Sequence, residues 1–301
     1  MQVIPDLIVG SAIGLIGAAL YGLSVVVYRS QADAAGPIEV SAIKMWVALP
    51  FMVIMTLLLP GIAAAFLPLA TIWLLSLSVL FGAVIGDTVY LWSQARIGVS
   101  YAFPIAMSFP ILTFFMTVGF LGEAFILSRL AGAVIAVIGI ILISNEQNKS
   151  QQDNETPGKL DLLGILGAIL TALLYAVGTT VLQVGIEGVD PIAGNLIRVV
   201  VGSFAFLPVV AAAAMGRMRI PSKRATTYVI IAAFFGMAVG SLLYVAAVAM
   251  TGATIMSVIS STAPLYAVPV SVFFLKEKLT KVAGVGILAT IVGVVLVVVG
   301  L

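Results

Sequence analysis

Apolar residues run along this chain in long uninterrupted blocks, broken by short polar or glycine-rich gaps. A bilayer's hydrocarbon core requires about 20 consecutive apolar residues from a helix that crosses it. Ten segments meet that length: 7–27, 38–59, 70–95, 101–121, 126–144, 161–183, 191–214, 226–250, 253–275 and 280–300. A membrane β-barrel would alternate apolar with polar residues, so these continuous runs predict helices. Between the fifth and sixth segments lies the one long polar stretch, "NEQNKSQQDNETPGKLD" (145–161). Its Asn, Gln, Ser and Pro content predicts a hydrated linker. The pattern divides the chain into 1–144, a linker over 145–160, and 161–301.

The two parts repeat one another. At an ungapped offset of 154 residues, Tyr21 falls on Tyr175, Pro37 on Pro191 and Lys44 on Arg198. "FGAVIG" (81–86) falls on "FGMAVG" (235–240), Tyr90 on Tyr244, Gly98 on Gly252 and Pro110 on Pro264. Glu123 meets Glu277, Gly132 meets Gly286 and Gly139 meets Gly293. Each part holds five predicted spans, an odd number, so the second copy enters the membrane in the opposite sense. The expected fold is therefore an all-α polytopic membrane protein of ten helices in two inverted five-helix repeats, a plan suited to alternating access around a midplane site.

Composition narrows the chemistry. Of 301 residues 62% are hydrophobic and 9% charged, far below the charged share of a soluble domain. Cys and His are both absent, which removes disulfides, thiol nucleophiles, His-based metal and haem sites and Ser-His-Asp triads. No carboxylate pair falls inside the spans, so no catalytic constellation is expected, and no cofactor or metal. A net charge of +2 leaves no nucleic-acid footprint. The N-terminus "MQVIPDL" lacks a basic n-region, so the first span reads as a retained helix. Loops after the odd-numbered spans carry Arg29, Arg96, Lys149, Lys159, Arg217, Arg219, Lys223, Arg224, Lys276, Lys278 and Lys281, whereas the other loops carry Arg129 alone. The positive-inside rule places the first set in the cytoplasm and both termini outside. The expectation is a multi-pass protein of a prokaryotic inner membrane, a monomer whose partners are the lipid bilayer and a small molecule.

Three charges fall deep within the spans, more than a turn from either end: Lys44, Asp87 and Arg198. At 1.5 Å per residue, Lys44 lies roughly 9 Å and Asp87 roughly 13 Å from the same face. A lysine side chain bridges that gap, so the two are expected to pair or to share a polar cavity. Arg198 is the repeat mate of Lys44, but the mate of Asp87 is Ser241. Arg198 therefore has no symmetry-related carboxylate and is a candidate to hold a substrate carboxylate bidentately. Tyr21, Tyr90, Tyr175 and Tyr244, with Trp92, are candidate cavity walls, because aromatic faces beside a carboxylate also suit a cation. The hydroxyl-rich "MSVISSTAP" (256–264) adds Ser260. Pro110 and Pro264 are candidate hinges, since proline breaks the helical ladder and frees a carbonyl. Burial favours the neutral form of a carboxylate, which makes the proton a candidate coupling ion at Asp87.

The chain resembles the ten-helix EamA-type members of the drug/metabolite transporter superfamily over residues 7–300. The resemblance rests on the two copies "FGAVIGDTVYLWSQARIGVSYAFPIAMSFPILTFFMTVGFLGEAFILSRLAGAVIAVIG" and "FGMAVGSLLYVAAVAMTGATIMSVISSTAPLYAVPVSVFFLKEKLTKVAGVGILATIVG". Each has a glycine-led third helix, a mid-helix proline, a glutamate after the fourth helix and a glycine-spaced fifth helix. It implies a solute carrier with a central cavity and no ATPase domain. Together with the site residues it gives the leading expectation, an amino-acid or related metabolite exporter. The alternatives are a proton-coupled carrier of organic cations or quaternary amines and, from another class, a passive channel.

Overall fold

In the computed structural model, residues 3–31, 34–149, 161–215, 221–266 and 280–300 are described. Among them every regular element is helical. The first half comprises α1 (Val3–Ser30), α2 (Pro37–Leu58), α3 (Leu69–Val79), α4 (Asp87–Ile97), α5 (Val99–Ala106), α6 (Phe109–Leu121) and α7 (Leu127–Lys149). The second comprises α8 (Leu162–Ile186), α9 (Pro191–Ala205), α10 (Leu207–Ala214), α11 (Lys223–Ala233), α12 (Gly240–Thr251), α13 (Ala253–Ser261) and α14 (Lys281–Val299).

Eight helical rods are long and apolar enough to cross a membrane, and a ninth is formed by α9 and α10, bent by 40° at Phe206. The expected span 253–275 runs beyond the described residues after Tyr266, so nine spans, and not the expected ten, are established among them. Helix α7 continues past Ser144 to Lys149, into the segment read as linker.

Several ends follow directly from sequence. Asp161 accepts from the Leu163 amide and caps α8, and Asp190, just before Pro191, accepts from the Ile192 and Ala193 amides and caps α9. Ser222 and Thr280 cap α11 and α14 in the same way. These side chains satisfy amides that have no partner within the helix. The repeat mates Gly98 and Gly252 stand at φ 74° and 83°, in the region that favours glycine, and turn α4 into α5 and α12 into α13.

Two features were not anticipated. Leu80–Gly86 and Phe234–Val239 are π-helical, and join α3 to α4 and α11 to α12. They begin at positions related by the repeat offset. Each widens its rod by a residue at the glycine-led motif, and such bulges gather at functional sites. The fourth span is broken at Met107 and Ser108, and Pro110 opens α6, where its missing N–H costs nothing. The chain is broken again at Thr262, just before Pro264.

The halves interlock. α1 packs on α11, α12 and α13 of the other half, α8 packs on α3 to α6, and α2 packs on α9. The crossings depend on small residues: a Cβ placed on Gly178 of α8 would lie 2.9 Å from the Gly82 amide nitrogen. Helices α7 and α14 pair through Gly132, Gly139, Gly286 and Gly293. The other rods enclose a cavity between the halves.

Candidate functional site: a charged cavity between the repeats

The cavity has a volume of about 140 Å³ and is lined from both halves, including both π-helical segments through Gly82 and Met237. Its lining is mostly apolar, with two polar walls.

The first wall is centred on Asp87, the first residue of α4. Lys44 of α2 donates to Asp87 Oδ2, and the Tyr175 hydroxyl of α8 donates to Oδ1 at 2.7 Å. Lys44 is 3% exposed and Asp87 6%. The lysine therefore does not extend to the interface. It sits behind Asp87, outside the cavity lining, with its ammonium 5.6 Å from the centre of the Tyr28 ring. Gly86 makes this arrangement possible, because a Cβ there would approach the Tyr175 ring to 3.0 Å. Tyr21, the repeat mate of Tyr175, lines the same wall, and Phe109 packs edge-on to Tyr175 at 5.6 Å.

Arg198 of α9 forms the second wall, 6% exposed. Its Nε donates to Ser78 Oγ at 3.0 Å and its Nη1 to Asn195 Oδ1 at 3.3 Å. The guanidinium lies over the Tyr244 ring at 6.0 Å. Asn195 in turn donates to Ser241 at 2.9 Å, and Tyr244 shares a 2.7 Å hydrogen bond with Thr179. Where the first half sets a carboxylate against its cation, the second sets a neutral Asn195–Ser241 pair. Among the described residues Arg198 forms no ion pair.

The expected site residues therefore divide. Asp87, Arg198, Tyr21, Tyr175, Tyr244, Ser241 and Ser260 line one cavity, with Lys44 directly behind. Tyr90 and Trp92 are outside the cavity lining. Tyr90 is 1% exposed, packs edge-on to Phe103 of α5 and belongs to the cluster against which Tyr21 and Tyr175 pack, so it backs the aromatic wall from behind. Trp92 is 39% exposed, packs against Gly167 and carries the Arg96 guanidinium over its ring at 4.9 Å. Ser78, Thr179 and Asn195 were missed. Asn195 had a legible signal, an amide one helical turn before an intramembrane arginine.

Residues 8–145 and 162–299 each match the EamA-like transporter family. The chain belongs to that family. It is thereby a membrane transporter of the drug/metabolite transporter superfamily, matched in two copies over nearly its whole length. No curated protein matches this EamA-like chain. Among solved structures, a chain described only as "Crystal structure of protein" superposes with a TM-score of 0.75, at 14% identity and covering 96% of each chain. That likeness concerns the fold alone.

Proposed function

We propose that this EamA-like protein is a secondary active transporter of small carboxylate-bearing metabolites, amino acids foremost, working by alternating access of its two repeats. The observation that carries this reading is Arg198, a buried guanidinium on the cavity wall with only neutral partners among the described residues. A buried charge is costly unless it is paired. Its fork geometry matches a carboxylate.

Charge counting supports the same substrate class. Asp87 and Lys44 offset one another, so the three intramembrane charges sum to +1 at the site. Both Asp87 oxygens already accept a donor. An organic cation would have to displace one of them, which weakens the organic-cation reading. The cavity is also smaller than the roughly 300–1,000 Å³ typical of drug-sized sites. An amino acid places its carboxylate on Arg198 and its ammonium against the aromatic wall of Tyr21 and Tyr175, where it displaces neither donor from Asp87.

Asp87, the carboxylate in the cavity lining, is the candidate carrier of a coupling proton. Counterflow in proteoliposomes tests the reading. Preloading with unlabelled substrate should drive saturable uptake of labelled amino acid, whereas a passive channel would show no such exchange.

A further inference from the structure

A second polar cluster lies away from the cavity. Glu123 follows Gly122, which ends α6 in the left-handed conformation at φ 71°. Its Oε1 accepts from Gln183 Nε2 of α8 at 2.7 Å, and its Oε2 accepts from Thr254 Oγ1 of α13 at 3.3 Å. Gln183 Oε1 accepts from the Ala253 amide at the start of α13. Thr117 of α6 and Thr254 share a 2.7 Å hydrogen bond. Glu123 and Thr117 come from the first repeat, and Gln183, Ala253 and Thr254 from the second. Nothing in the substrate site uses these groups.

The cluster sits where three cavity-wall helices converge. Phe109 on α6, Thr179 on α8 and Ser260 on α13 line the cavity. Following those helices away from it leads to Thr113 and Thr117, to Gln183, and to Ser257 and Thr254. Thr113, Thr117, Thr254 and Ser257 are all buried. Along these three helices, buried hydroxyls therefore lie between the cavity and the cluster. Small hydroxyls let such helices pack closely, and they can also accept water when the helices separate.

We infer that the Glu123–Gln183–Thr254–Thr117 cluster is a clasp between the repeats that holds this mouth of the cavity shut. By the charge distribution of the loops this is the face opposite the cytoplasm. The bonds to a carboxylate are the strong members of the set. They cross between halves, so they form or break as a group when one half moves against the other. This role rests on the alternating-access reading, and its test needs no substrate, so it fails or succeeds independently of the substrate class.

The chain has no cysteine, so a single introduced thiol reports local opening. Ser257→Cys places one on α13 between the cavity-lining Ser260 and the clasp residue Thr254, and Ser203→Cys places a control in the α2–α9 packing, where Ser203 donates to the Met45 carbonyl. Purified full-length protein is labelled with a water-soluble maleimide. With the clasp intact both sites react slowly. Adding Glu123→Ala should raise the rate at Ser257→Cys by about tenfold or more, as losing hydrogen bonds to a charged group predicts, and leave Ser203→Cys unchanged. The exchange Glu123→Gln with Gln183→Glu keeps one donor facing one acceptor and should return the rate towards its original value. Equal acceleration at both thiols would show that Glu123 only supports the fold and would overturn the inference. No acceleration at either would overturn it as well.

Discussion

Arg198 differs from Lys44 less in its own chemistry than in its company. The two residues occupy equivalent positions in the repeats, yet one faces Asp87 and the other faces Asn195 and Ser78. Removing one member of a buried ion pair leaves the other unpaired, which costs about 3–5 kcal/mol, whereas apolar replacement of both is often neutral. Lys44→Met alone should therefore melt well below wild type, and the double variant Lys44→Met, Asp87→Leu should recover most of the loss. A double variant as unstable as the single one would assign Asp87 a structural duty beyond the pair. Pairing of Lys44 with Asp87 was legible in the sequence because helical rise fixes depth from a face. Asn195 carried a weaker signal, its place one turn before Arg198, because a neutral amide inside a span does not stand out as a charge does. Tyr90 and Trp92 fall outside the lining for a related reason: separation along a helix gives an angle, but only the packing of α5 and α8 decides which angle meets the cavity.

At the level of elements, the α3–α8 crossing and the opening of α8 carry the testable weight. Gly178 sits against the π-helical backbone at Gly82 with no room for a methyl group. Gly178→Ala should force α8 outwards and cost about 1–3 kcal/mol, as overpacking does. Gly284 of α14 has open space where a methyl group would stand, so Gly284→Ala is the matched control and should leave the melting temperature nearly unchanged. The glycine-led motif that contains Gly82 was visible in the sequence; the π-helical turn was not, since it depends on a shift of hydrogen-bond register that no residue type announces. Where α8 begins, Asp161 caps the helix and receives Arg96 Nε at 2.6 Å, tying α4 to the second repeat. The Arg96 hydrogen bond holds the Asp161 carboxyl below its usual value of 3.8. A depressed folded value means that the contact stabilises above the unfolded value and is lost as pH falls through the folded one. Asp161→Asn keeps a capping side chain but removes the charge. Its melting deficit should be small at neutral pH, shrink with added salt, and vanish once the pH falls below the Asp161 range. A deficit independent of pH would point to the cap and not the charge.

For the molecule as a whole, the interlocked repeats explain how one small cavity acquires two unlike walls. Helices α1 and α8 each pack on the opposite half, so residues from both copies converge on one space. Divergence of the copies then makes the site asymmetric, with a compensated carboxylate on one side and, on the other, a guanidinium with no counter-charge among the described residues. The repeat itself was plain in the sequence, as was the segmentation into apolar spans, because both rest on spacing alone. The cross-packing and the clasp at Glu123 depend on contacts between residues far apart in the chain. The central claim is that Arg198 takes the substrate's carboxylate. Equilibrium binding of an amino acid and of its carboxamide, measured on wild type and on Arg198→Gln, addresses it most directly. The account predicts that wild type prefers the amino acid over the carboxamide by about 10–100-fold, the worth of a hydrogen-bonded charge pair, and that Arg198→Gln erases the preference. Equal binding of both ligands by wild type, or an undiminished preference in Arg198→Gln, would contradict it.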